Sequence, residues 1–158
     1  MTTWLVTGGA GYIGAHVVRA LMDAGMSPVV FDNFSTGMRA FVPAGVPVVT
    51  ADVLDRDAVE RALSAHDCSG VLHLAAFKYA GESVRRPVHT FRQNVEGTGV
   101  VLEAMESQGV GRMVFSSSAG VYGTPDVDLV TESTPTLPES PYGESKLATE
   151  RLADEYRA

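Results

Sequence analysis

Tyr142 and Lys146 stand four residues apart in the stretch PYGESKLATERLADEYRA. On a helix, that spacing puts a phenol and an ammonium on one face. A free tyrosine, with a pKa near ~10, is a poor base at neutral pH. A neighbouring positive charge favours the phenolate, so the pair could take the proton of a substrate hydroxyl while its carbon is oxidised. Lysine is scarce here: Lys78 and Lys146 are the only two among 12 basic side chains. Arginine supplies the generic surface charge, and the compact, tunable ammonium is kept for few places. A third group must orient the hydroxyl. The run FSSSAGVYG offers Ser116, Ser117 and Ser118 for that task.

A cofactor to receive the electrons is suggested by WLVTGGAGYIGAHVVRAL. Gly9, Gly11 and Gly14 satisfy G-x-G-x-x-G, and from Gly8 the same run reads T-G-x-x-G-x-x-G. Such glycines serve a tight turn, a close backbone approach to a pyrophosphate and close helix–strand packing, and the following helix offers its free amides to the phosphates. The next apolar run ends at Asp32, where a carboxylate can accept hydrogen bonds from adenine-ribose hydroxyls. A 2′-phosphate there would meet like charge, so NAD is favoured over NADP. An oxidised nicotinamide ring would also add a second positive charge beside the phenol. Asp52, in TADV, is similarly placed at a strand end.

These residues need elements to hold them. Short apolar runs at Thr3–Thr7, Pro28–Asp32, Pro47–Ala51, Gly70–Ala75 and Arg112–Ser116 suit strands covered on both faces. Helical patterns lie at Tyr12–Ala24, Asp55–Ala65 and Val88–Gln108, the second with Asp55 as N-cap. Strands alternating with helices predict a doubly wound parallel α/β sheet, ordered 3-2-1-4-5, with the serine run at its carboxyl edge. Ala119–Ser140 is too rich in Pro, Thr and Gly for a regular element, and loops that long tend to be functional or disordered. Ser140-Pro141 starts the last helix with a capping hydroxyl and a proline at its first position.

The 158 residues are 45% hydrophobic and 20% charged, which fits one globular domain with a sizeable core. A net charge of −7 argues against a nucleic-acid or anionic-membrane surface. One cysteine, Cys68, cannot form an internal disulfide and suits a reducing compartment. His16, His66, His73 and His89 show no zinc-like spacing with it. His73, on an apolar strand, reads as a satisfied buried histidine, and Arg85-Arg86-Pro87 as a solvated helix start. Neither a signal peptide nor a membrane span is evident, so the expected location is cytoplasmic.

In this order, TGGAGYIG, FDNFSTG, ADV, LHLAAFKYAGESVRRP, NVEGTGVVLEAM, FSSSAGVYG and PYGESKLATE resemble the extended short-chain dehydrogenase/reductase family. Within it they are most similar to the nucleotide-sugar 4-epimerases. The resemblance covers essentially the whole chain and implies a Rossmann fold that binds NAD. It makes Gly8, Gly11, Tyr12, Ile13 and Gly14 the pyrophosphate turn. Asp32, Asn33, Ser35, Thr36 and Gly37 would hold the adenosine ribose, and Asp52 and Val53 the adenine. Leu74, Ala75, Ala76, Phe77 and Lys78 would run beside the cofactor, with Asn94 nearby. Ser118 would hydrogen-bond the sugar hydroxyl, Tyr142 would be the base, and Lys146 would bind the nicotinamide ribose. No metal is implied. The implied reaction is reversible inversion at C4 of a UDP-hexose through a 4-keto sugar, an isomerase activity of galactose metabolism. Dimers of the family pair the long helix with the catalytic helix, so a homodimer is expected.

Two departures accompany the resemblance. Gly120 stands where a threonine is usual, and family chains are about twice as long, so the portion that builds most of the nucleotide-sugar pocket is absent. The expectation is a single NAD-binding domain over residues 1–158 with little turnover of its own. Related dehydratases carry Thr-Asp-Glu in place of the serines, unlike this chain. Another sugar-nucleotide-modifying activity, or a nucleotide-binding module without catalysis, stays open at this stage.

Overall fold

A computed structural model describes residues 2–156. The chain divides into two compact units, one of residues up to Ala75 with Val100–Ser116, the other of Ala76–Gly99 with residues from Ser117 onward.

The first unit holds the sheet. Strands β1 (Thr3–Thr7), β2 (Ser27–Asp32), β3 (Val48–Thr50), β4 (Cys68–His73) and β5 (Met113–Phe115) pair in parallel in the order β3-β2-β1-β4-β5. The near-continuous apolar runs are explained by burial on both faces. Leu5, Val29, Phe31 and Val71 join Val59 and Leu63 of α2 (Arg56–Ala65) and Val101 and Met105 of α5 (Gly97–Ser107). Their neighbours Val6 and Val30 turn the other way, toward Val18 of α1 (Tyr12–Asp23). Successive strand residues point to opposite faces, so each apolar pair feeds both layers.

Thr7 and His73 pair with each other in this core, whereas the Trp4 indole N–H of β1 is buried without a hydrogen-bond partner. Thr7 Oγ1 accepts the amides of Leu74 and Ala75 at 3.2 and 3.3 Å, which directs its own proton to His73 Nδ1 at 2.7 Å. His73 is therefore the satisfied buried histidine that its strand predicts. Cys68 is buried, and desolvation pushes its thiol up to about 11, so it is not a ready nucleophile at neutral pH. Among the described residues, no helix is long and apolar enough to cross a membrane, and no group of three His, Cys, Asp or Glu could hold a metal.

The second unit is helical. Helices α3 (Ala80–Arg85) and α4 (Pro87–Phe91) lead into a π-helical turn over Arg92–Glu96 and then into the start of α5. A 3₁₀ turn at Ala119–Val121 and helix α6 (Pro141–Glu155) complete it. The single helix expected at Val88–Gln108 is thus corrected. It starts one residue earlier at Pro87, relaxes into the wider turn at Arg92, and ends at Ser107. Arg86 is the N-cap of α4 and Arg85 closes α3, so the two arginines flank a junction. Pro87 has no amide proton to continue α3, which accounts for the break. The strands also shift slightly, with Cys68–His73 in place of Gly70–Ala75, Val48–Thr50 in place of Pro47–Ala51 and Met113–Phe115 in place of Arg112–Ser116.

Candidate active site

The glycine turn follows β1 in the first unit. Gly8 has φ 70°, in the region L side chains rarely adopt, and a Cβ there would stand 2.8 Å from the Ala75 nitrogen. A Cβ on Gly14 would collide with the Gly8 carbonyl oxygen. Both positions therefore need glycine, and the turn is drawn tight by the Gly11 amide donating to Gly8 O at 3.0 Å. The N-cap of α1 is Gly11, and no side chain caps this helix. Its first-turn amides are left to an external acceptor, and Tyr12 and Ile13 are exposed there. By contrast, Asp55 accepts the Ala58 amide at 3.0 Å to cap α2, and Ser140 accepts the Gly143 amide at 3.1 Å to cap α6.

Asp32 ends β2 with its carboxylate buried. Oδ2 accepts the Ala10 amide at 3.0 Å and Oδ1 the Phe34 amide at 2.8 Å, so the side chain is fixed yet keeps a lone pair on each oxygen for a diol. A Cβ on Gly37 would lie 2.9 Å from Oδ1 and 3.0 Å from Oδ2, so only glycine packs this closely against the carboxylate. Asn33 Nδ2 donates to Asp52 Oδ2 at 2.8 Å, and Asp52 Oδ1 accepts the Leu54 amide at 3.0 Å, joining the ends of β2 and β3. Asn33 Oδ1 receives the Ser35 amide at 2.9 Å, while Ser35 and Thr36 are exposed and Val53 is buried. Bare amides, a carboxylate fixed by two amides with a lone pair left on each oxygen, and a glycine turn fit a dinucleotide's pyrophosphate and ribose.

The second unit holds the proton-transfer candidates. Tyr142 and Lys146 lie one turn apart on α6. Tyr142 is half-buried, whereas Lys146 is only 3% exposed, and desolvation brings its ammonium down to about 8. The structure also distinguishes the serines. The Ser117 hydroxyl donates to the Glu150 carboxylate, so its proton is occupied. Ser118 Oγ accepts the Gly120 amide at 3.1 Å, leaving its proton for another acceptor. A Cβ on Gly120 would stand 3.3 Å from Ser118 Oγ and 4.0 Å from the Tyr142 ring, so its glycine opens space beside both.

Leu74 and Ala75 are fixed through Thr7 in the first unit. Ala76, Phe77 and Lys78 begin the second. Phe77 has its amide on Asn94 Oδ1 at 2.7 Å and its carbonyl on Asn94 Nδ2 at 3.1 Å. Lys78 is exposed, with its Nζ 5.9 Å from the Tyr79 ring centre. Sequence reasoning missed two side chains. Ser83, buried in α3, accepts the Tyr142 amide at 3.1 Å, and Ser145 Oγ donates to the Tyr142 carbonyl at 2.7 Å. Ser83 meets Tyr142 across 59 residues, so its task shows only in the fold. Ser145 instead lies three residues after Tyr142, where a serine hydroxyl bonding back to a helix carbonyl could have been read from the spacing.

A parallel sheet of this order with an uncapped glycine turn defines a dinucleotide-binding Rossmann domain. More narrowly, the chain belongs to the NAD dependent epimerase/dehydratase family, whose profile matches residues 4–158. It is 47% identical over 150 residues to the UDP-glucose 4-epimerase of Streptomyces lividans, covering 94% of this chain and 46% of that protein. The UDP-glucose 4-epimerase of Brucella ovis in complex with NAD is similar in structure, with a TM-score of 0.95, 36% identity, and coverage of 99% of this chain and 48% of that one. The Thermotoga maritima UDP-glucose 4-epimerase with UDP-glucose gives a TM-score of 0.93 at 36% identity, covering 98% and 51%. The chain spans about half the length of the curated relatives it matches.

Proposed function

We propose that this chain supplies the NAD-binding and proton-transfer half of a UDP-hexose 4-epimerase, interconverting UDP-glucose and UDP-galactose. The observation that carries this reading is Lys146, a cation 3% exposed one turn after a half-buried tyrosine. Burying an ammonium is costly, and a helix with only a structural task has no need of it. Bound NAD supplies the reversible two-electron oxidation at C4.

This chain's residues do the rest. The amides of Tyr12 and Ile13 and the bare turn at Gly8, Gly11 and Gly14 receive the pyrophosphate. Asp32, with Asn33, Ser35, Thr36 and Gly37 beside it, takes the adenosine ribose. Asp52 and Val53 line the adenine, and Leu74 through Lys78 border the nicotinamide end. The Tyr142 phenolate oxygen takes the C4 hydroxyl proton as the 4-keto sugar forms and gives it back when the opposite face is reduced. Ser118 donates its free proton to the same sugar oxygen, and Lys146, one turn further along α6, binds the nicotinamide ribose.

Joined to the second half of the Streptomyces lividans enzyme, the chain should interconvert UDP-galactose and UDP-glucose, and Tyr142→Phe should lower the rate by about a thousandfold. Conversion of other UDP- or dTDP-sugars but not these two would reassign the substrate. The 158-residue chain by itself should bind NAD with little turnover. An apolar stripe on α3 and α4, with Val84 64%, Val88 81% and Phe91 39% exposed, supports pairing of two copies through this helical segment and the catalytic helix. Light scattering that finds a monomer at high concentration would refute the pairing. A reducing, cytoplasmic setting agrees with the single buried thiol.

A further inference from the structure

Tyr142 is gripped at both ends of its peptide unit by hydroxyls that the proposed chemistry does not use. Its amide is a first-turn donor of α6 with no acceptor inside the helix, and Ser83 Oγ of α3 accepts it at 3.1 Å. Ser83 is fully buried, and its own proton goes to the Ala80 carbonyl, which fixes its lone pairs toward α6. The Tyr142 carbonyl receives Ser145 Oγ at 2.7 Å. Ser145, also fully buried, is in turn held by Asn94 Nδ2 at 2.9 Å. Asn94 sits in the π-helical turn, 2% exposed, and its remaining capacity is committed to both backbone groups of Phe77. The Asn94 carbonyl is anchored by Thr98 Oγ1 at 2.6 Å. The wider turn carries the asparagine that reaches two segments at once.

We propose that Ser83 and Asn94 are positioning residues for Tyr142. Ser83 holds its amide directly, and Asn94 holds its carbonyl through Ser145 while fixing Phe77 in the same network. This rests on Tyr142 being the acid/base of the proposed function. It also refines the expectation for Asn94, whose amide acts on the cofactor edge through the Phe77 backbone. A misplacement of about 1 Å at a reacting group can lower a rate by about a hundredfold, which gives such a clamp a purpose.

The test labels the five tyrosines of the 158-residue chain with 3-fluorotyrosine and assigns the Tyr142 fluorine resonance with Tyr142→Phe. Ser83→Ala and Asn94→Asp should each shift and broaden the Tyr142 line, with Tyr12 and Tyr156 unmoved. Ser83→Thr should restore it. Ser145→Ala reads the second arm independently if the Asn94 variant does not fold. An unmoved Tyr142 line on either arm, or a shift shared by all five tyrosines, would overturn the clamp. Because the lines are read without NAD or sugar, a chain that fails to bind either would refute the functional reading and leave this result standing.

Discussion

The starts of α1 and α6 carry the candidate chemistry, and they are built by opposite means. At α1 the sequence removes side chains: the N-cap is Gly11, nothing caps it, and Gly8 and Gly14 tolerate no Cβ. At α6 the sequence adds them, with Ser140, Ser83 and Ser145 occupying the backbone groups around Tyr142. A phosphate is bound by the backbone itself, so its amides must stay bare. A proton is transferred by one side chain, so the backbone beneath it must be fixed.

Gly14→Ala should break the first arrangement most severely. The added methyl meets the Gly8 carbonyl, so a loss of about 3 kcal/mol in stability is expected in urea unfolding, together with loss of NAD binding. Lys146→Met should act in the opposite direction, raising stability by about 2 kcal/mol at neutral pH while abolishing proton transfer. Below about pH 8, folded and unfolded chains both hold the Lys146 proton, and the burial penalty is present in full. As pH rises from about 8 toward the ordinary lysine value of 10.5, the folded chain releases the proton first and the penalty fades. The advantage of Lys146→Met should therefore shrink across that window, and a constant difference would contradict the assignment. Asp32→Ala strands the Ala10 and Phe34 amides, and should weaken NAD about tenfold in a fluorescence titration while narrowing the preference over NADP. Ser140→Ala should cost about 1 kcal/mol in thermal unfolding and leave NAD affinity unchanged.

Much of this was legible because its causes are local. The apolar strand runs, the glycine turn ending at α1 and the caps Asp55 and Ser140 are written in neighbouring residues, and each element appears where its pattern lies. The α3 helix was not legible, since AGESVR is one short turn with a glycine and no apolar period. The π-helical turn at Arg92–Glu96 was hidden for a different reason, because its sequence continues an ordinary helical pattern. FSSSAGVYG offered three equivalent serines, and only the partners Glu150 and Gly120 distinguish Ser117 from Ser118. Ser83 meets Tyr142 across 59 residues, a contact no local spacing encodes.

Calorimetric titration of the purified chain with NAD and with NADP tests the central claim most directly. The bare amide turn and the Asp32 carboxylate require saturable one-to-one binding of NAD, with NADP weaker by at least about tenfold from the carboxylate meeting a 2′-phosphate. No binding of NAD, or equal affinity for the two, would contradict it.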